Sequence, residues 1–596
     1  MSTRRRPALA VLAIGTLALT AACAKGNAGG SADAGSSSAP RPSETNLTEL
    51  FAPPKIEVGT ADDSKGPAIE PEGVVKGSTV NMIDRDDYPH LDPGRVYDNV
   101  TANFHLLITR GLTGYKKVGD NHYKVVGDLA TDAGQVSDGG KTWTFTLKDG
   151  VKWQDGSPIT SADVKWSMER LFAPFITEGP PYIQQWLTEE DYKKSYKGPY
   201  DGKELGNIET PDDKTVVFKF NEPHADANYA LAMTGYGIVP KAKDTKEKYD
   251  KTPVSSGPYI IAAHSLDKSM DLERNPNWDP ATDPIRGAYP DKWHLEFGYQ
   301  ALAVTDRFVA DTGDDQKTFS FYTHVAAERT QQVLQDKSLQ DRIMRRPSPY
   351  GDYYYFNLDR VKDVKIRQAI AYAWPTKQIQ TITGGPDTSV INTTILNPSV
   401  SGWEDYDVFG FKQHPEGDLD KAKELLAQSG DPTPTIVYGY NNTPTEQRVT
   451  VAIKNQMAKI GIKIVAKPMD TKTWYDATGK VENGLDMYWG GWGADWPTAA
   501  TVFPVIFGPV RDGGYNQSHL KDPEVTAEIK RIEGLADVDE ANKAWAALDK
   551  KIMETITPLV PGLNNVGLQL RGSKVGGAEI DPISWVVSPN TIFVKP

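Results

Sequence analysis

The residue types best suited to chemistry crowd into one stretch, 487–497 (MYWGGWGADWP). Trp489, Trp492 and Trp496 offer flat apolar walls, while Gly490, Gly491 and Gly493 let another body approach the backbone closely. Asp495 stands among the indoles, where a carboxylate loses hydration and needs a positive partner or several amide donors. A ligand ammonium group would meet that need. A purely structural arrangement fits the same residues: Asp495 capping a helix that starts near Pro497, with the tryptophans as core. Local spacing leaves both open.

Cys23 is the one cysteine in 596 residues, which excludes an intrachain disulfide and any thiolate cluster for zinc or iron–sulfur. Of nine histidines the closest two, His90 and His105, are 15 positions apart, so no histidine-pair metal motif exists at helical spacing. Neither G-x-S-x-G nor H-E-x-x-H occurs. Residues 134–142 (GQVSDGGKT) imitate a phosphate loop, with one residue too many and a strand pattern following where a helix is required. A turn between strands is the better reading. No catalytic residue, metal ligand or cofactor is therefore expected, and the chain does not read as an enzyme. With 66 Lys and Arg against 79 Asp and Glu, the formal charge of −13 also argues against a nucleic-acid binder.

Cys23 has its own context. Arg4, Arg5 and Arg6 precede an apolar run from Ala8 to Leu19, and small residues stand just before the cysteine. Positive, apolar, small is secretory-signal grammar, and the run is shorter than the ~20 residues a membrane span needs. The segment resembles a bacterial lipoprotein signal, although Thr20 stands where Leu is commonest. That resemblance implies cleavage after residue 22 and lipid (palmitate) on Cys23. Residues 24–46 are nearly all small or polar and read as a flexible tether. Without residues 1–22 the chain carries 63 basic and 79 acidic residues, a charge of −16. So acidic a body needs the anchor to stay at an anionic bilayer. The expected location is the extracytoplasmic face of the cell membrane, by lipid anchor only.

The elements that must position the aromatic stretch are visible around it. Residues 78–84, 142–148 and 215–220 alternate like strands. Thr160 and Asp163 fit a capping box before a helical face of Val164, Met168, Leu171 and Phe172. Residues 436–440 read as a strand. Thr443, Pro444 and Glu446 then open a helix through Val449, Ile453 and Met457 that stops at Gly461. A strand over 462–467 completes a βαβ unit. Residues 539–555 read as a helix and 566–570 as a returning strand. The class is α/β.

Several segments together resemble the family-5 extracytoplasmic solute-binding proteins, receptors of peptide and nickel ABC importers. They are 147–171 (LKDGVKWQDGSPITSADVKWSMERL), Ser256-Gly257-Pro258-Tyr259 with Asn275-Pro276-Asn277-Trp278, 353–358 (YYYFNL) with 364–373 (VKIRQAIAYA), and 420–426 (DKAKELL). Their order covers about 77–596. The resemblance implies a two-lobed, periplasmic-binding-protein-like clamshell with an extra subdomain inserted in lobe one. The expected division is 1–22 signal peptide, 23–76 lipidated cysteine and tether, 77–350 lobe one with the insert at about 116–235, 351–557 lobe two, and 558–596 a return to lobe one.

In the family's peptide-binding members an Asp after the Gly/Trp turn pairs with the peptide's α-ammonium, and Asp495 occupies that position. By the same likeness Trp492, Gly493, Trp496 and the hinge-strand Tyr354 are expected at the ligand. Oligopeptide receptors often carry Arg just before this strand end for the peptide's carboxylate; here Trp489 stands there, with Lys480 nearby. The implied function is a monomeric, lipid-anchored receptor that hands a peptide to an ABC transporter permease. An oligosaccharide is the rival ligand, since Trp faces also stack on sugars. A secreted hydrolase of peptides or cell-wall fragments is the rival from another class.

Overall fold

In the computed structural model, residues 54–188, 192–470 and 473–596 are described. Cys23, the signal segment and residues 24–46 lie outside them. No helix among the described residues is long and apolar enough to cross a membrane.

Two five-stranded sheets form the two lobes. In the first, Thr79–Ile83 lies parallel to both Lys292–Glu296 and Thr318–Phe319, and Ser269–Arg274 and Tyr259–Ser265 extend the far edge antiparallel. Its core of Val80, Met82, Tyr259, Leu272 and Trp293 is completed from the far end of the chain by Val575, Val587 and Ile592. In the second, Lys463–Met469, Thr435–Asn441, Met487–Gly493, Tyr350–Phe356 and Leu559–Pro561 lie in that order. Thr435–Asn441 is parallel to Lys463–Met469, and Pro444–Ala458 is the helix between them, so the βαβ unit forms as its apolar spacing requires. Val449, Ile453 and Met457 are buried on that helix's inner face.

The helix start shows how local chemistry sets an element. Thr443 Oγ1 accepts from the Glu446 amide at 3.2 Å, Pro444 takes the first helical position, and Gly461 turns the chain out at φ +91°. Thr443→Ala is expected to cost about 1 kcal/mol. The measurement is amide exchange in the first turn, which should quicken about fivefold. Unchanged exchange there would mean the cap contributes nothing.

A smaller sheet of Gln135–Ser137, Thr142–Thr146, Thr215–Lys219 and Ile208–Glu209 packs on the helix Ser161–Arg170. The phosphate-loop mimic is the turn between its first two strands. Asp163 accepts from both the amide and the hydroxyl of Thr160 at 3.0 Å, closing the box at that helix's start.

Residues 54–76 do not behave as tether. Lys55–Val58 pairs parallel with the strand His122–Gly127, Ser64 is buried, and Lys124 Nζ meets Asp63 at 3.0 Å. Composition hid this because the segment borrows its apolar partners from residues 122–127.

The lobes are joined through neighbouring chain passages. Ile343–Pro347 pairs antiparallel with Leu563–Leu570, and the ladder runs on as Ser348 N donates to Asn565 O at 2.7 Å and Gly562 N to Asp352 O at 2.7 Å. The aromatic stretch is thus placed directly beside the hinge.

Candidate functional site

The strands Tyr350–Phe356 and Met487–Gly493 run antiparallel with Tyr350 opposite Gly493, Asp352 opposite Gly491 and Tyr354 opposite Trp489. Strand alternation puts these six residues on one face. The glycines remove side chains opposite Tyr350 and Asp352, and a Cβ at Gly493 would overlap the Tyr350 ring. The space so made opens into a cavity of 820 Å³ between the lobes. Trp489, Trp492, Gly493 and Asp495 line it from one side, Tyr97, Asp98 and Asn99 at the start of the helix Asn99–Ile108 from the other. The five exposed tyrosines of the described residues, Tyr97, Tyr322, Tyr350, Tyr475 and Tyr515, all line this cavity.

Asp495 caps no helix. Its Oδ2 accepts from the hydroxyl of Tyr97 at 2.9 Å and from that of Tyr182, both on the first lobe. No cation reaches it among the described residues, and burial pushes its carboxyl up to about 6 against the pull of those two hydroxyls. Two neutral donors cannot replace the hydration of a carboxylate.

Trp492 is fixed at the cavity wall: its indole donates to Thr501 O at 2.7 Å, and its ring lies 4.5 Å from that of Tyr515. Trp496 does not reach the large cavity. It is 1% exposed, its indole donates to Asp226 Oδ2 at 2.6 Å, and it packs at 4.6 Å against Tyr182 within the core of the four-stranded sheet. It borders a separate 350 Å³ cavity, which shares Tyr97, Trp492 and Tyr515 with the large one.

Tyr354 is likewise off the wall, 6% exposed, with its ring 4.7 Å from Trp374. Trp374 covers Tyr354, while Tyr350, four residues earlier and 39% exposed, is this strand's tyrosine on the cavity.

Sequence reading missed Tyr97, Tyr182, Tyr350 and Asp352. Only Tyr350 and Asp352 carried a signal, since they share Tyr354's strand face.

Two arginines line the cavity, and both are committed elsewhere. Arg110 donates to Asp128 Oδ1 at 2.7 Å, to Thr282 and to two carbonyls; Arg286 donates to Asp128 Oδ2 at 2.9 Å, to Asp283 and to two carbonyls. This buried network holds residues 110, 128 and 286 together and keeps Asp283 far below the usual carboxylate range, the two guanidiniums outweighing its burial. Among the described residues no three His, Cys, Asp or Glu side chains are grouped to hold a metal ion.

Residues 124–514 match the family model of bacterial extracellular solute-binding proteins, family 5. A probable D,D-dipeptide-binding periplasmic protein of Escherichia coli is 24% identical over 475 residues, 78% of this chain and 84% of the relative. A probable deoxycholate-binding periplasmic protein of the same organism is 23% identical over 521 residues, 85% of this chain and 91% of the relative. Among solved structures, a clavulanic acid biosynthesis oligopeptide-binding protein superposes with a TM-score of 0.81 at 28% identity, covering 90% of this chain and 100% of that one.

Proposed function

Because the chain belongs to the family-5 bacterial extracellular solute-binding proteins, we propose that it captures a peptide with a free amine between its lobes and delivers it to an ABC transporter permease. The observation that carries this reading is Asp495, a half-buried carboxylate in the interlobe cavity with two hydroxyl donors and no cation among the described residues. A peptide α-ammonium would supply the missing charge as a charge-assisted hydrogen bond. Trp492 and the neighbouring strip at Gly493 would form the wall beside it. Contacts to both lobes favour their closure over the ligand.

The exposed tyrosines on the cavity favour a second ligand class, because such faces also stack on sugars. A ligand that binds the folded chain raises its melting temperature by mass action. A thermal-shift screen of di- to hexapeptides against cello- and xylo-oligosaccharides should show shifts with peptides. Shifts with sugars alone would overturn the peptide assignment. For the proposed lipid on Cys23, cells fed labelled palmitate should yield labelled protein, and Cys23→Ala should abolish the label. Label retained in that variant would remove the anchor from Cys23.

A further inference from the structure

Among the described residues five carboxylates line the large cavity, and three are already satisfied. Asp98 caps its helix by accepting from the Thr101 amide at 2.9 Å. Asp581 accepts from the amides of Ile583 and Ser584 at 2.8 and 3.0 Å. Asp128 lies between Arg110 and Arg286. Asp495 is the fourth, treated above. The fifth, Asp352, has no role in that reading.

Asp352 Oδ2 receives one neutral donor, Asn565 Nδ2 at 2.9 Å. Its Oδ1 looks toward the bare strip at Gly491, where an added Cβ would stand 3.6 Å away, and has no hydrogen-bond partner among the described residues. No ion pair reaches this carboxylate there either. Burial pushes it up to about 7, the single amide donor resisting and the like charge of Glu446 adding to the rise. Asp352 is half-buried and lines the cavity, with one neutral donor and its other oxygen open, so a cation entering on that open side would find an unpaired carboxylate.

We propose that Asp352 is a second ligand-charge site, which takes the ammonium or guanidinium of a basic side chain while Asp495 takes the ligand's free amine. This rests on the peptide reading above and narrows it to basic peptides. Asp352 pairs with Gly491, and Asp495 lies four residues beyond Gly491. Four extended residues span at most about 13 Å. A peptide advances about 3.4 Å per residue, and a lysine side chain adds about 6 Å of reach. The second charge therefore belongs to residue two or three of the ligand. The guanidiniums that line the cavity among the described residues are saturated, so neither competes for Asp352 or holds a ligand carboxylate in its place.

The test is calorimetric titration of the full chain with Ala-Lys-Ala and Ala-Ala-Lys, each against its norleucine counterpart, which keeps the chain length and drops the charge. Wild type should bind at least one lysine peptide about tenfold more tightly than its counterpart. In Asp352→Asn, which keeps the Asn565 hydrogen bond possible, that preference should fall below about twofold. Equal affinities for both series in wild type overturn the proposal without a variant. So does a preference that survives Asp352→Asn. If neither series binds while an oligosaccharide does, the peptide reading itself fails and this proposal falls with it; peptides binding without regard to charge sink this proposal alone.

Discussion

Asp495→Asn is expected to weaken binding of a free-amine peptide by about 30- to 3,000-fold. The side chain keeps its shape, and its oxygen can still accept from Tyr97 and Tyr182, so the change removes the charge and little else. Losing one partner of a buried, hydrogen-bonded charge pair costs about 2–5 kcal/mol, and each 1.4 kcal/mol is tenfold in affinity. N-acetylated peptides lack the ammonium and should bind wild type and variant alike. The measurement is titration of both proteins with each peptide form. An undiminished preference for the free amine in the variant would remove Asp495 from this role.

The same substitution has a signature without ligand. The carboxyl of Asp495 titrates at about 6 in the folded chain, above its ordinary range, because burial disfavours the charged form. A raised carboxyl contributes stability that is fully present below the ordinary range and lost as pH rises through about 6. Ligand-free wild type should therefore lose melting temperature between pH 4 and 7 relative to Asp495→Asn. Parallel profiles would show that the carboxylate is not under strain.

Trp496→Ala should act on every ligand instead of one chemical class. Its indole leaves the second lobe's strand end and enters the first lobe's aromatic cluster at Tyr182 and Trp186, while both it and Thr498 donate to Asp226 Oδ2. Those contacts exist only while the lobes meet. Removing a buried tryptophan costs about 3–5 kcal/mol. Here that loss falls on closure, and a cavity that is assembled less often binds every ligand more weakly by the same factor. Affinity should drop about 100-fold or more for amine-free and amine-bearing ligands together, and small-angle scattering should show a wider ligand-free particle. A lower melting temperature with unchanged affinity would make Trp496 a core residue with no part in closure.

Much of the frame was legible in the chain because its causes are local. Thr443, Pro444 and Gly461 delimit a helix through groups within a few residues of each other, and the alternation of 436–440 and 462–467 tells which elements are strands. The glycines of 487–497 likewise announce a backbone that something approaches. The family likeness placed Tyr354 and Trp496 at the ligand, and neither lines the large cavity. Alternation with period two assigns Tyr350, Asp352 and Tyr354 to one face, and cannot say where along that face the covering layer of Trp374 ends.

By itself, then, the sequence determined the α/β pattern, the Gly/Trp strand end and a carboxylate within it that needs a partner. Only the tertiary structure decided what that carboxylate faces. Tyr182 and Tyr97 stand 313 and 398 positions away from Asp495, and Asn565 is 213 positions from Asp352. Hydrogen bonds and desolvation act over a few ångströms of space, and spacing along the chain carries no record of which distant segments the folding of two lobes brings within that range.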